Sequence, residues 1–179
     1  FQYPTERMVA NRATVCLRRL DAMVPTDAVC AARGIDPKTA VEAASSLTRL
    51  MGSGTPTQAD QAIFYSMICR YDIVRELVLV EVGERLQNFD YVFTAADLNA
   101  FMTRFTTEYP DAACWTEATV KRIKGSLRQT LRHAALIGEG HGPESERLSP
   151  LFLDSDVERA LVQLGEQSLI AALTGRSVM

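Results

Sequence analysis

The chain is 179 residues long, with 47% hydrophobic and 23% charged residues and a formal net charge of −3. That length holds one domain, or two small ones sharing a core, and this ordinary balance excludes a globally disordered, collagen-like or low-complexity chain. The longest charge-free run, Leu50 to Ala59, is ten residues and is broken by Gly and Pro, whereas a membrane-spanning helix needs about 20 apolar residues, so no transmembrane helix is expected.

Helix signals recur along the chain, while alternating apolar and polar runs are nearly absent, so an all-α bundle is expected. Thr5 can cap a first helix whose Val9, Ala13, Cys16, Leu17, Leu20 and Val24 repeat at three and four, ended by Pro25. Thr26 to Ala32 reads as a short second helix closed by Gly34, and Asp36-Pro37 opens a third with Val41, Ala44, Leu47, Leu50 and Met51 as its buried stripe. After the loop Gly52 to Pro56, Thr57 and Asp60 open a fourth helix carrying Ile63, Phe64, Met67 and Ile68.

From Asp72 to Leu86 the apolar residues cover more than one stripe, which predicts a central, buried helix. Thr94 and Asp97 form a capping pair ahead of Leu98, Phe101, Met102 and Phe105, and Pro110 ends that unit. Thr116 caps the next helix, with Val120, Ile123, Leu127, Leu131 and Ala134 inward, followed by the turn-rich stretch Gly138 to Pro143. Ser155 and Glu158 open a last helix through Val157, Leu161, Leu164 and Leu169, stopped by Gly175. The expected organisation is a single domain over 1–179, with amino-terminal helices (1–90), a basic helix-turn-helix-like unit (91–153) and a carboxyl-terminal helix (154–179).

Cys16, Cys30, Cys69 and Cys114 lack a CxxC pair, and only His133 and His141 could join them as nitrogen ligands. No metal site is expected, and the thiols read as buried and free in a reducing cytoplasm. Phe1 to Arg7 has no basic flank followed by an apolar stretch, so no secretory signal is read. No P-loop, GxGxxG, GxSxG or HExxH motif occurs, and the pairs Glu81 with Glu84 and Asp154 with Asp156 read as surface carboxylates and caps. Neither a cofactor nor an enzyme activity is expected.

The net charge hides an uneven distribution: residues 1–50 carry +2, residues 51–114 carry −5 and residues 115–179 are neutral. Within the last block, Trp115 to Ile137 sets Lys121, Arg122, Lys124, Arg128 and Arg132 against Glu117 alone. At about 100° per residue, Lys121, Lys124, Arg128 and Arg132 fall in a strip roughly 80° wide, along about 16 Å of helix. That is the scale of a duplex groove wall lined with phosphates. The competing reading is a solvated face paired with the acidic 51–114 block. Against it, the helix has no acid after Glu117 to neutralise its cations at helical spacing. Helix, helix and Gly-rich turn follow one another in the order of a winged helix-turn-helix. Its short β-hairpin would run from Leu136 to Gly138, turn through Gly140 to Gly142 and return by Arg147 to Leu151, bringing Arg147 and His141 to the backbone. The gap from Glu108 to Trp115 is longer than that motif's turn. Trp115 reads as an apolar staple rather than a base-stacking platform.

The segments Ile68–Val78 (ICRYDIVRELV), Phe93–Phe101 (FTAADLNAF), Trp115–Ile123 (WTEATVKRI), Leu127–Arg132 (LRQTLR) and Ala135–Ile137 (ALI), with Leu148–Leu153 (LSPLFL), carry a family resemblance. Over residues 63–153 the chain resembles the BrxA family of bacteriophage-exclusion (BREX) defence systems. The resemblance implies an all-helical fold similar to the antitermination factor NusB, double-stranded DNA binding and no catalysis. It selects Thr119, Lys121, Arg122 and Arg128 within the basic helix. The expected function is a cytoplasmic DNA-binding component that works with other phage-defence proteins and no membrane, with nucleic-acid contacts from Thr119, Lys121, Arg122, Lys124, Arg128, Arg132 and Arg147. RNA is a substitute ligand, and a protein-interaction subunit is the alternative.

Overall fold

The computed structural model describes residues 6–138 and 146–176, and every regular element among them is a helix. Extended pairing among the described residues is limited to two isolated antiparallel bridges, Val92 with Arg147 and Ile137 with Leu148. The cap expected at Thr5, the turn expected through Gly140 to Gly142, and His141 lie outside the described residues. The chain divides into two units, one formed by residues up to Asp72 with Asp154–Glu166, the other by Ile73–Leu153 with Gln167 onward.

In the first unit, α1 (Glu6–Ala22), α2 (Asp27–Arg33), α3 (Pro37–Ser53) and α4 (Pro56–Arg70) are joined by α10 (Ser155–Gln163), which packs on α3 and α4. Asp36 caps α3 through the Thr39 N–H at 2.8 Å, and Gly34 ends α2 at φ +66°, a left-handed conformation that glycine adopts without a Cβ clash. The α4 start differs from expectation: Thr55 caps it with Gln58 as the reciprocal partner, because Pro56 takes the first helical position, where its missing N–H has no cost. Ala40, Ala44, Leu47, Ala62, Ile68 and Leu161 fill the core. Val41, read as part of a buried stripe, and Val9, Leu17 and Ile63, read among the apolar residues of their helices, are exposed. A helical period says which side of a helix can be buried, not whether a neighbour reaches it.

The second unit begins with the long apolar helix, which is not one regular α-helix. α5 (Asp72–Glu76) and α6 (Gly83–Gln87) flank a π-helical turn over Leu77–Val82. α11 (Gln167–Thr174) packs on this wide turn, and Gly83 meets it so closely that a Cβ there would lie 2.7 Å from Ala172 Cβ. The last predicted helix is likewise two helices. Gly165, at φ +69°, breaks it after α10, and the Glu166 N–H returns to the Leu161 carbonyl at 3.0 Å. α7 (Ala95–Glu108) carries the expected Thr94–Asp97 capping box. Pro110 does not simply end that unit; it starts the one-turn helix α8 (Pro110–Ala113), which leads to α9 (Glu117–His133). Cys16 and Cys114 are exposed and Cys69 half-buried, so only Cys30 meets the expectation of a buried free thiol.

Candidate nucleic-acid interface

α9 is the basic helix, and its orientation follows from its apolar side. Leu127 and Leu131 are 3% and 0% exposed, Ile123 is half-buried, and α9 packs on α7. Thr116 caps the helix, accepting the Thr119 N–H at 3.2 Å. The Trp115 ring stacks on Phe105, 6.1 Å between centroids, as an apolar entry to the helix rather than an open platform. At the far end Ala135 takes φ +58° and turns the chain so that Leu136 and Ile137 are buried. Gly138 N–H and Ser149 N–H then bond the carbonyls of Arg147 and Leu136 at 3.3 and 2.9 Å.

Arg147 is placed from a second direction. Arg85 binds Asp90 at 2.6 Å, Asp97 at 2.8 Å and the Val92 carbonyl at 2.9 Å, which fixes the segment after α6. Val92 bridges Arg147, and Leu148 N–H bonds the Tyr91 carbonyl at 2.8 Å. Burial raises the tendency of Asp97 to stay protonated, but its hydrogen bonds from Thr94 and the Arg85 guanidinium outweigh it and hold its carboxyl below the usual carboxylate range.

The expected site residues separate into four kinds. Lys121, Arg122 and Arg147 are exposed, and no described residue pairs with their side chains. Lys124 Nζ donates to Asn99 Oδ1 on α7 at 2.6 Å, a neutral partner that orients the ammonium and leaves its charge in place. Thr119 is half-buried with its hydroxyl 3.0 Å from Thr116 Oγ1, so it belongs to the cap.

Arg128 and Arg132 differ from the expectation of an unneutralised strip. Glu146, its side chain 2% exposed, lies between them: Arg128 Nε is 2.9 Å from its Oε2, and Arg132 Nη2 bonds its Oε1. The neutralising acid comes neither from the helix itself nor from the 51–114 block. The Arg128 contact is an ion pair without an aligned hydrogen bond, since Arg128 Nε and Nη2 and Glu146 Oε2 are all shielded from solvent and lack hydrogen-bond partners among the described residues. The two arginines also line an open groove of about 460 Å³ with Gly125, Gln129, His133 and Ile137. Sequence reasoning missed Glu146 because it follows Arg132 by fourteen residues, a separation with no periodic signature. The hint in the sequence was the absence of acid in α9 after Glu117.

Among the described residues no group of three His, Cys, Asp or Glu side chains is gathered for a metal, and no helix is long and apolar enough to cross a membrane. Asp154 caps α10 and Glu81 pairs with Arg104 at 2.7 Å, which accounts for one member of each carboxylate pair noted in the sequence.

Residues 1–165 match the family model described as BrxA. A similar protein is the BREX protein BrxA of Escherichia coli O9:H4 (strain HS), 20% identical over 127 residues, a match that covers 71% of this chain and 58% of that protein. The chain therefore matches little more than half the length of this relative.

Proposed function

The chain belongs to the BrxA family, and from that premise we propose that it is a double-stranded DNA-binding component of a BREX phage-defence system. In this reading α9 and Arg147 hold the phosphate backbone. α7 is the supporting helix, α8 fills the long turn, α9 is the helix laid on the duplex, and the segment at Arg147 takes the place of a wing within a NusB-like helical fold. The protein works without catalysis or cofactor, in the cytoplasm, alongside other proteins of the defence system.

One observation carries the reading. Lys121 and Arg122 stand exposed and unpaired with any described residue, next to Lys124, whose partner is neutral. Like charges this close are unfavourable in isolation and favourable against phosphates, where each displaces a condensed counterion. Among the described residues no Asn or Gln cluster for reading base edges accompanies them, so weak sequence preference is expected.

The test is duplex binding across a salt series. With Lys121, Arg122, Lys124 and Arg147 engaged, log K against log salt should fall with a slope of about −3 to −4. Lys121→Glu with Arg122→Glu should leave the fold intact and abolish most of the affinity. Binding that ignores salt, or survives this double reversal, overturns the reading, and tighter binding to duplex RNA than to DNA reassigns the ligand.

A further inference from the structure

We propose, on the reading that α9 meets the DNA backbone, that Glu146 is a built-in competitor for phosphate: its carboxylate occupies the anion position of Arg128 and Arg132 and holds duplex affinity down. Arg128 and Arg132 are one helical turn apart on one face, a spacing that presents two guanidinium groups to one acidic group. Carboxylate and phosphate are recognised by the same arginine chemistry. Here each oxygen of Glu146 takes one arginine.

The cluster is incompletely hydrogen-bonded. A buried ion pair returns its desolvation cost only when the remaining donors and acceptors are satisfied, and among the described residues Arg128 Nη2 has no hydrogen-bond partner while Arg128 Nε and Glu146 Oε2 have only their misaligned ion pair. Both arginines also border the open groove, where Gln129 and His133 supply further polar groups. With Glu146 ionised the three side chains present a net charge of +1 to a passing backbone; without it they present +2. Release from Glu146 would therefore add up to two cations to the phosphate-facing set.

The experiment compares the full chain with Glu146→Gln, a near-isosteric neutral variant, after melting curves establish that both are folded. On a short mixed-sequence duplex at moderate salt the variant should bind about tenfold more tightly, with a salt slope steeper by about 1 to 2. A folded variant that binds no more tightly than the parent overturns the proposal while leaving duplex binding by the other cations standing. Absence of duplex binding in both proteins sinks the DNA reading instead, and inorganic phosphate then decides on Glu146. A larger phosphate-induced rise in melting temperature for the variant upholds the competitor, and equal rises overturn it. Should Glu146→Gln fail to fold, Glu146→Asp draws the carboxylate back by one methylene, and unchanged duplex affinity in that variant counts against the proposal.

Discussion

Glu166 in the first unit and Glu146 in the second are 3% and 2% exposed, and both face arginine, yet their surroundings differ in kind. Arg33 Nη1 meets Glu166 Oε1 at 2.8 Å and the Leu164 carbonyl at 2.8 Å, while the Tyr65 hydroxyl donates to the same carboxylate at 3.3 Å. The acid is thus held by an arginine on α2 and a phenol on α4, and burial pushes the Tyr65 phenol upward, keeping it neutral and a donor. Glu146 instead takes both arginines from one helix, leaves polar atoms without hydrogen-bond partners among the described residues and adjoins an open groove. A closed cluster of this composition pins elements together. An open one leaves positive charge available to something outside.

The largest expected effect tests the closed cluster. Glu166→Ala removes the charge partner of the Arg33 guanidinium and the carboxylate acceptor of the Tyr65 hydroxyl, and should destabilise the protein by about 3 kcal/mol, the low end for breaking a buried pair, because Arg33 keeps 25% of its side-chain exposure. Urea denaturation measures it, and duplex affinity per folded molecule should not change. Glu146→Gln should cost far less stability. Equal losses at the two glutamates would erase the distinction between them.

A smaller effect concerns Asp97, which belongs to the closed kind because Arg85 and Thr94 both bind it. Its pKa is lowered in the folded state, so its contribution is present above the unfolded aspartate value of about 3.9 and is lost as pH falls through the lower folded value. Asp97→Asn should therefore be less stable than the parent at neutral pH, and the gap in urea midpoint should narrow steadily below about pH 4. A gap that stays constant to strong acid would mean the carboxylate's charge is irrelevant there.

The smallest effect sharpens the open side. Lys124→Ala, which removes the bond to Asn99, should change stability by no more than about 0.5 kcal/mol while making the salt slope shallower by about 0.9. A stability loss comparable to a core truncation would show that α9 turns Lys124 inward.

The local features of the fold were legible because their causes are local. Asp36-Pro37, Thr94 with Asp97, and Thr116 each satisfy a helix start from residues three positions apart, so the sequence is enough to place them. The apolar spacing of Leu127 and Leu131 likewise set which way α9 turns. The π-helical turn at Leu77–Val82 was hidden, because the apolar composition suits a regular helix equally and the widening accompanies close packing of Gly83 on Ala172. The break at Gly165 was hidden because the apolar period continues on both sides of it.

By itself the sequence determined the helical class, most helix starts and the concentration of cations between Lys121 and Arg132, since propensity, capping and periodicity act over a few residues. The tertiary structure alone decided which of those cations are free. Arg128 and Arg132 lie on the same strip as Lys121 and carry the same charge, but a charge is neutralised by whatever lies within a few ångströms, and distance in space bears no fixed relation to separation along the chain. Glu146 meets Arg128 and Arg132 where Ala135 turns the chain and Ile137 bridges Leu148, in a region where Leu136, Ile137, Leu148 and Glu146 are all buried.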